Sequence, residues 1–149
     1  GLSIGFTNGV FDIVHVGHVN YLTEAASHVD QLVIGLNSDA SVRRLNKGPE
    51  RPINHELARA LVLAGLGAVS AICVFDEDTP KELISLALPD VLMKGGDYDA
   101  DCIDEKNASY IVGSKEVKEA GGKVLSIPLV DGFSTTEVVK KLREDGDQD

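Results

Sequence analysis

The run from Gly5 to His18, GFTNGVFDIVHVGH, restricts the fold of this chain more than any other stretch. An apolar strand, read as Leu2 to Thr7, meets an Asn8-Gly9 break and then two histidines three positions apart, His15 and His18. Behind them Val19, Tyr21, Leu22, Ala25 and Ala26 have the i, i+3, i+4 spacing of an amphipathic helix. The histidines are therefore expected at a strand-to-helix junction, one turn apart and on the same side. Unpaired N–H groups at a helix start attract anions, and two imidazoles aimed at one spot add donors for phosphate oxygens. A single histidine there would ordinarily be a cap. Two, in H-x-G-H after a glycine-punctuated strand, point to a cradle for a nucleotide triphosphate.

A chain of 149 residues, 43% hydrophobic and 26% charged, is expected to be one domain (1–149) with a proper core. It has no apolar run of membrane-span length and no signal-peptide pattern. Because Gly1, rather than Met, leads almost directly into a strand, two readings stay open, a trimmed chain or one half of a longer polypeptide. Cys73 and Cys102 lie far apart without a C-x-x-C, which suits free thiols in a reducing, cytoplasmic setting. The net charge of −10 argues against a nucleic-acid partner. Yet Arg43, Arg44, Lys47, Arg51 and Arg59 form a local basic cluster, which suits a small anionic substrate.

Strand and helix signals alternate along the chain. Strands are read at Gln31–Leu36, Ala71–Phe75, Val91–Lys94 and Lys123–Ile127. Asn37-Ser38-Asp39 reads as a cap for a helix over Ala40–Leu45. Two prolines and a glycine make Lys47–Pro52 a loop. Asn54 is expected to cap a helix to about Ala64, with Leu57, Leu61 and Ala64 inward. Thr79 before Pro80 reads as an N-cap opening a helix to Leu88. Residues 98–112 are a polar, acidic connection without assigned structure, and Gly113–Ala120 reads as a helix stopped by Gly121-Gly122. Ser134-Thr135-Thr136 starts the last helix, to about Arg143, before a frayed tail from Glu144 to Asp149. Apolar strands separated by helices imply a parallel sheet covered on both faces. Its ligands bind beyond the carboxyl ends of the strands, where strand order reverses. Thr7-Asn8, Asn37–Asp39, Lys94–Asp97 and Asp131–Ser134 each follow a different strand, so four loops converge on one edge.

Several separate motifs make the chain resemble nucleotidyltransferases of the H-x-G-H superfamily, and within it the family that makes ADP-heptose from heptose 1-phosphate. They are TNGVFDIVHVGH (7–18), VIGLNSDASVRRLNKGPERPI (33–53), VFDEDTP (74–80), PDVLMKGGDY (89–98), IVGSKEV (111–117), GGKV (121–124) and PLVDGFSTT (128–136). The resemblance runs from end to end. It implies an α/β fold, a Rossmann-like doubly wound parallel five-stranded sheet of the cytidylyltransferase-like type. It further implies transfer of AMP from ATP to a sugar 1-phosphate, a homodimer, and a sugar-kinase partner domain in some members. One departure is visible. The family passes from G-G-D-Y to I-V-G in a few residues, whereas here Asp99 to Tyr110 intervene, so acceptor and subunit contacts at that point are open.

On this reading His15, His18 and Lys47 are catalytic, the histidines donating to the triphosphate and Lys47 closing over it on a mobile Gly-Pro loop. The nucleotide would be held by Phe6, Thr7, Asn8 and Gly9, by Phe11 and Gly17 around the histidines, and by Lys94, Gly95 and Asp97 after the fourth strand. Ser134, Thr135 and Thr136 open a helix and make a second anion site, a role compatible with a plain N-cap. The acceptor would be met by Asp12, Asn37 and Asp39 and by the cations Arg43, Arg44, Lys47 and Arg51. For any single arginine a solvated charged turn is the competing account, and Asp39 also reads as a helix cap. Asp76, Glu77 and Asp78 read as a solvated acidic turn. No His/Cys/Asp cluster has the spacing of a dedicated metal site, so Mg²⁺ is expected to arrive on the nucleotide phosphates.

Three alternatives stay open from the residues. The acceptor could be glycerol phosphate, ethanolamine phosphate or FMN; the nucleotide could be CTP; or the chain could bind nucleotide without turnover. A class I aminoacyl-tRNA synthetase shares H-x-G-H but needs tRNA-binding domains for which this chain has no room.

Overall fold

A computed structural model describes residues 1–146, with side chains to 144. Five parallel strands form one sheet: β1 (Ile4–Gly9), β2 (Gln31–Asn37), β3 (Ala71–Phe75), β4 (Val91–Gly95) and β5 (Lys123–Ile127), in the order β3-β2-β1-β4-β5. The helices are α1 (Val16–Ser27), α2 (Asp39–Arg44), α3 (Glu56–Ala64), α4 (Lys81–Ala87), α5 (Ser114–Glu119) and α6 (Thr135–Gly146). Tyr21, Leu22 and Ala25 of α1 and Leu63 of α3 pack with Leu32, Ile34, Leu36 and Met93 on one face. On the other, Ile84 of α4 and Val117 of α5 pack with Phe6, Leu92 and Val124. Both faces are covered, which is the doubly wound arrangement expected of near-continuous apolar strands.

Strand order reverses between β1 and β4, and there the ladder is short. β1 pairs with β2 over six positions but with β4 only at Gly5–Val91 and Phe6–Leu92. Beyond Phe6 the two strands part, leaving a crevice at their carboxyl ends, where ligands bind in sheets of this kind.

Several local expectations are corrected. β1 runs through Asn8 and Gly9, so the chain breaks from the strand only after Gly9. α3 is capped at His55 without a side-chain bond, because Asn54 is drawn away to Asp12. Leu57, Leu61 and Ala64 face outward rather than inward. The helix is apolar nearly all round, so periodicity cannot choose its buried side; the acceptors around Arg59 do. Pro80, not Thr79, is the N-cap of α4, and no side chain bonds there. The acidic turn is partly structural: Ser38 Oγ donates to Asp76, and Ser41 Oγ to the Glu77 carbonyl at 2.7 Å. α6 continues to Gly146, past the expected fraying at Glu144, and residues 147–149 lie outside the described residues.

Candidate active site

His15 is the N-cap of α1, with extended backbone (φ −133°, ψ 177°). Its Nδ1 accepts the Gly17 N–H at 3.1 Å, while His18 Nδ1 accepts the His15 N–H at 3.2 Å. Two imidazoles thus build the reciprocal capping box usually made by Ser/Thr and Glu/Gln. An Nδ1 that accepts cannot carry the proton, so each neutral ring bears it on Nε2. The rings stack at 3.9 Å between centroids and 28° between planes. Burial, then the charge His15 would carry, pushes the His18 pKa down to about 4. His18 is therefore a neutral donor at physiological pH. Gly17 is required between them, because a Cβ there would come within 2.9 Å of the His15 ring and 3.0 Å of Phe133.

A cavity of about 480 Å³ opens over this pair. Leu129, Val130 and Phe133 give it a nonpolar wall, and Tyr21, Lys47 and Arg51 line it as well. The Phe133 ring lies 6.2 Å from that of His15, nearly parallel to it, and Phe11 lies 5.2 Å from His18. Ser134, Thr135 and Thr136 line the same cavity. Ser134 Oγ accepts the Glu137 N–H at 3.1 Å as a cap, and Thr135 donates to the Ile13 carbonyl at 3.1 Å, pinning α6 beside α1.

A second cavity, about 290 Å³, lies over the split between β1 and β4. Asn8, Gly9, Asn37 and Lys94 line it, and Lys47 lines both cavities, standing where they meet. Lys94 enters the split and donates to the Asn8 carbonyl at 3.2 Å and to Asn8 Oδ1 at 3.4 Å. Burial, then the nearby Lys47, lowers its pKa to about 8. Lys47 is exposed, and its pKa is also lowered, by desolvation and then by Arg51, with Asp12 opposing. Among the described residues Lys47 has no salt bridge, so its charge faces the junction unspent.

Other expected contacts are engaged by protein partners or lie away from the cavities. The Asp12 carboxylate is buried: Oδ2 accepts from Arg51 Nε at 2.7 Å and Ile53 N at 2.9 Å, and Oδ1 from Asn54 N at 2.9 Å. It ties the 51–54 segment to the histidine loop; Arg51 uses only Nε in this bond, and both residues also line the first cavity. Asp39 pairs with Arg59 at 2.8 Å, and Arg44 with Asp78 at the surface. Arg43, Asp39, Arg44 and Asp97 line neither cavity. Phe6 and Thr7 lie beneath the site, Phe6 in the core and Thr7 bonded to the Tyr21 hydroxyl at 2.7 Å. Gly95 lines neither cavity and is packed under Tyr21 and Leu129.

Arg59, expected in a basic cluster for an anionic substrate, instead holds the rim together from inside. Fully buried, it donates from Nε to Asn54 O and from one terminal nitrogen to Val10 O and Asn37 O, each at 2.8 Å. The signal was a lone arginine inside an otherwise apolar helix. The nonpolar wall of Leu129, Val130 and Phe133 was missed, although it adjoins the Ser-Thr-Thr motif.

Residues 6–141 match the cytidylyltransferase-like family. Bifunctional protein HldE of Mesorhizobium japonicum is 55% identical over 143 residues, which are 96% of this chain and 27% of that protein. HldE of Rhodopseudomonas palustris (strain HaA2) is 53% identical over 144 residues, 97% of this chain and 28% of that one. The chain thus spans about a quarter of the length of the curated relatives it matches. Among solved structures, a lipopolysaccharide core biosynthesis protein from Thermoplasma volcanium superposes with a TM-score of 0.65 at 26% identity, covering 87% of this chain and 98% of that one. Pantothenate synthetase from Thermus thermophilus, at 16% identity and a TM-score of 0.53 over 86% of this chain and 56% of that one, shares the fold.

Proposed function

The chain belongs to the cytidylyltransferase-like family, and on that premise we propose that it is a nucleotidyltransferase domain, spanning 1–149, that transfers AMP from ATP to heptose 1-phosphate. The observation that carries this reading is the meeting of two cavities at Lys47, with the paired imidazoles in the larger one. The larger, with its nonpolar wall, would take the nucleotide; the smaller, with Lys94 and two asparagines, would take the sugar phosphate. A phosphate oxygen of the acceptor attacks the α-phosphorus, the bond to the β-phosphate bridging oxygen breaks in line, and pyrophosphate leaves. Such transfer depends on positioning and charge neutralisation. Two Nε2–H donors and the amino end of α1 would meet the charge that grows on the phosphates. Lys47 would hold attacking and departing groups to one line, and Lys94 would fix the acceptor anion.

Mg²⁺ would accompany the nucleotide. Among the described residues no three His, Cys, Asp or Glu side chains gather to hold a metal, and Asp12 already accepts three protein N–H groups. Phosphate oxygens would therefore be its ligands, and no step of the transfer is routed through it. No helix among the described residues is long and apolar enough to cross a membrane; an ATP-using reaction and two free cysteines suit the cytoplasm. The name "bifunctional" borne by longer relatives is compatible with a sugar-kinase partner.

A homodimer would bury the outer side of α3 and the β3 edge. Leu57, Leu61, Val62 and Val74 are 72%, 75%, 53% and 46% exposed, and residues 60–75 carry no charged side chain in a chain of net charge −10. Two acidic molecules can meet there without opposing like charges.

Pyrophosphate release measured over ATP and CTP against heptose 1-phosphate, glycerol phosphate, ethanolamine phosphate and FMN tests the reaction. Release is expected with ATP and heptose 1-phosphate above every other pair. Tight ATP binding with no release for any acceptor would leave a nucleotide-binding module instead.

A further inference from the structure

Residues 99–110, where the chain departs from the family pattern, have a geometry the transfer reaction does not use. The Asp99 N–H donates to the Ser109 carbonyl at 2.9 Å, so the loop leaves and returns at one pinched neck. Inside the neck it is closed by its own turns: Asp101 N to Asp99 Oδ1, Lys106 N to Asp104 Oδ1 and Ser109 N to Asn107 Oδ1, at 2.9 to 3.0 Å. Its outer part is fastened away from the site. Glu105 pairs with Lys81 of α4 at 3.6 Å, and Lys118 of α5 donates to the Ala100 carbonyl.

What reaches the site is the pair flanking the neck. Tyr98, just before it, and Tyr110, just after it, both line the second cavity. Lys94 Nζ sits 5.5 Å above the Tyr98 ring, close enough for the ring to hold the cation in place. Tyr110 is buried, and Ile111 beyond it locks into the core beside Ile84. Asn8, Asn37 and Thr79 line the same cavity, with Asp78, whose carboxylate is paired with Arg44. An ammonium, flat phenol rings, and amide and hydroxyl groups lining one cavity fit an anionic ring with many hydroxyls. The apolar C–H face of such a ring packs on a phenol ring while its hydroxyls are bonded.

We infer that the inserted loop is a specificity device: its pinched neck presents Tyr98 and Tyr110 as the wall that selects a cyclic, polyhydroxylated sugar phosphate over a short acyclic phosphate. This rests on the second cavity being the acceptor site. The experiment uses the whole chain, with Tyr98→Ala, Tyr110→Phe and a variant whose residues 100–108 are replaced by two glycines. Tyr110→Phe removes a single oxygen and keeps the packing should the other two fail to fold. Each is titrated calorimetrically with heptose 1-phosphate, mannose 1-phosphate, glycerol 3-phosphate and a non-hydrolysable ATP analogue, and is assayed for pyrophosphate release. Sugar phosphates are expected to bind about five- to tenfold more weakly to Tyr98→Ala, the size of one lost aromatic contact. Their KM should rise with little change in kcat, and glycerol phosphate and ATP analogue should stay within about twofold. Unchanged sugar phosphate affinity in all three variants, or an equal loss for the ATP analogue, overturns the inference. Selective loss of sugar phosphate binding in a protein that releases no pyrophosphate sinks the transfer reaction and keeps the wall. Failure of the wild type to bind any sugar phosphate overturns both.

Discussion

His15 and His18 fix each other. Each spends Nδ1 on a backbone N–H, which leaves two Nε2–H groups and no freedom of tautomer. Removing one donor of this kind costs about 2.7–4 kcal/mol of barrier, so His18→Ala should lower kcat at least about 100-fold with the circular dichroism spectrum unchanged. A variant within tenfold of wild type would remove His18 from the mechanism. Lys94 gives the pH signature. With its pKa lowered to about 8, the free protein loses this positive charge as the pH rises through that value. kcat/KM for the acceptor should therefore fall above about pH 8, and Lys94→Arg, which stays charged, should carry that limb to higher pH. An unshifted limb would assign the ionisation to another group.

At the scale of elements, the rim is a set of loops stapled by two buried ions of opposite sign. Asp12 gathers the 51–54 segment, and Arg59 gathers the ends of β1 and β2, the same segment and Asp39. Cutting Arg59→Met leaves Asp39 without its cation and three carbonyls without donors. Unfolding in urea should show a loss of about 3–5 kcal/mol, the usual cost of breaking a buried pair from one side. A loss below about 1 kcal/mol would mean that water replaces the guanidinium. The strands, the histidine junction and the Ser38 cap were legible because each is written in a few adjacent residues. The pairing of Asp12 with Arg51 was not, since the two partners stand 39 positions apart and nothing local marks them as a pair. The orientation of α3 was misread for a related reason: every side of it is apolar enough to be the inner one.

For the whole molecule, the strongest expectation concerns association. The outward leucines of α3 and the bare edge of β3 form an uncharged face on an acidic protein. Sedimentation at micromolar concentration should give a dimer. Leu57→Glu combined with Leu61→Glu should give a monomer with the same circular dichroism; an unaffected dimer would place the interface elsewhere.

Residue patterns along the chain were enough for the parallel α/β sheet, the polar edge at its strand ends, and the helix start that carries two imidazoles, because periodicity, caps and turns act within a few residues. Which polar groups stay open to a ligand was settled by packing in three dimensions. Asp12, Asp39 and Arg51 share the residue types of a binding site, yet Asp39 pairs with Arg59 outside both cavities, while Asp12 and Arg51 pair with each other at the edge of the first. Lys47 and Lys94 face open cavities because neither forms a salt bridge among the described residues and β1 and β4 part.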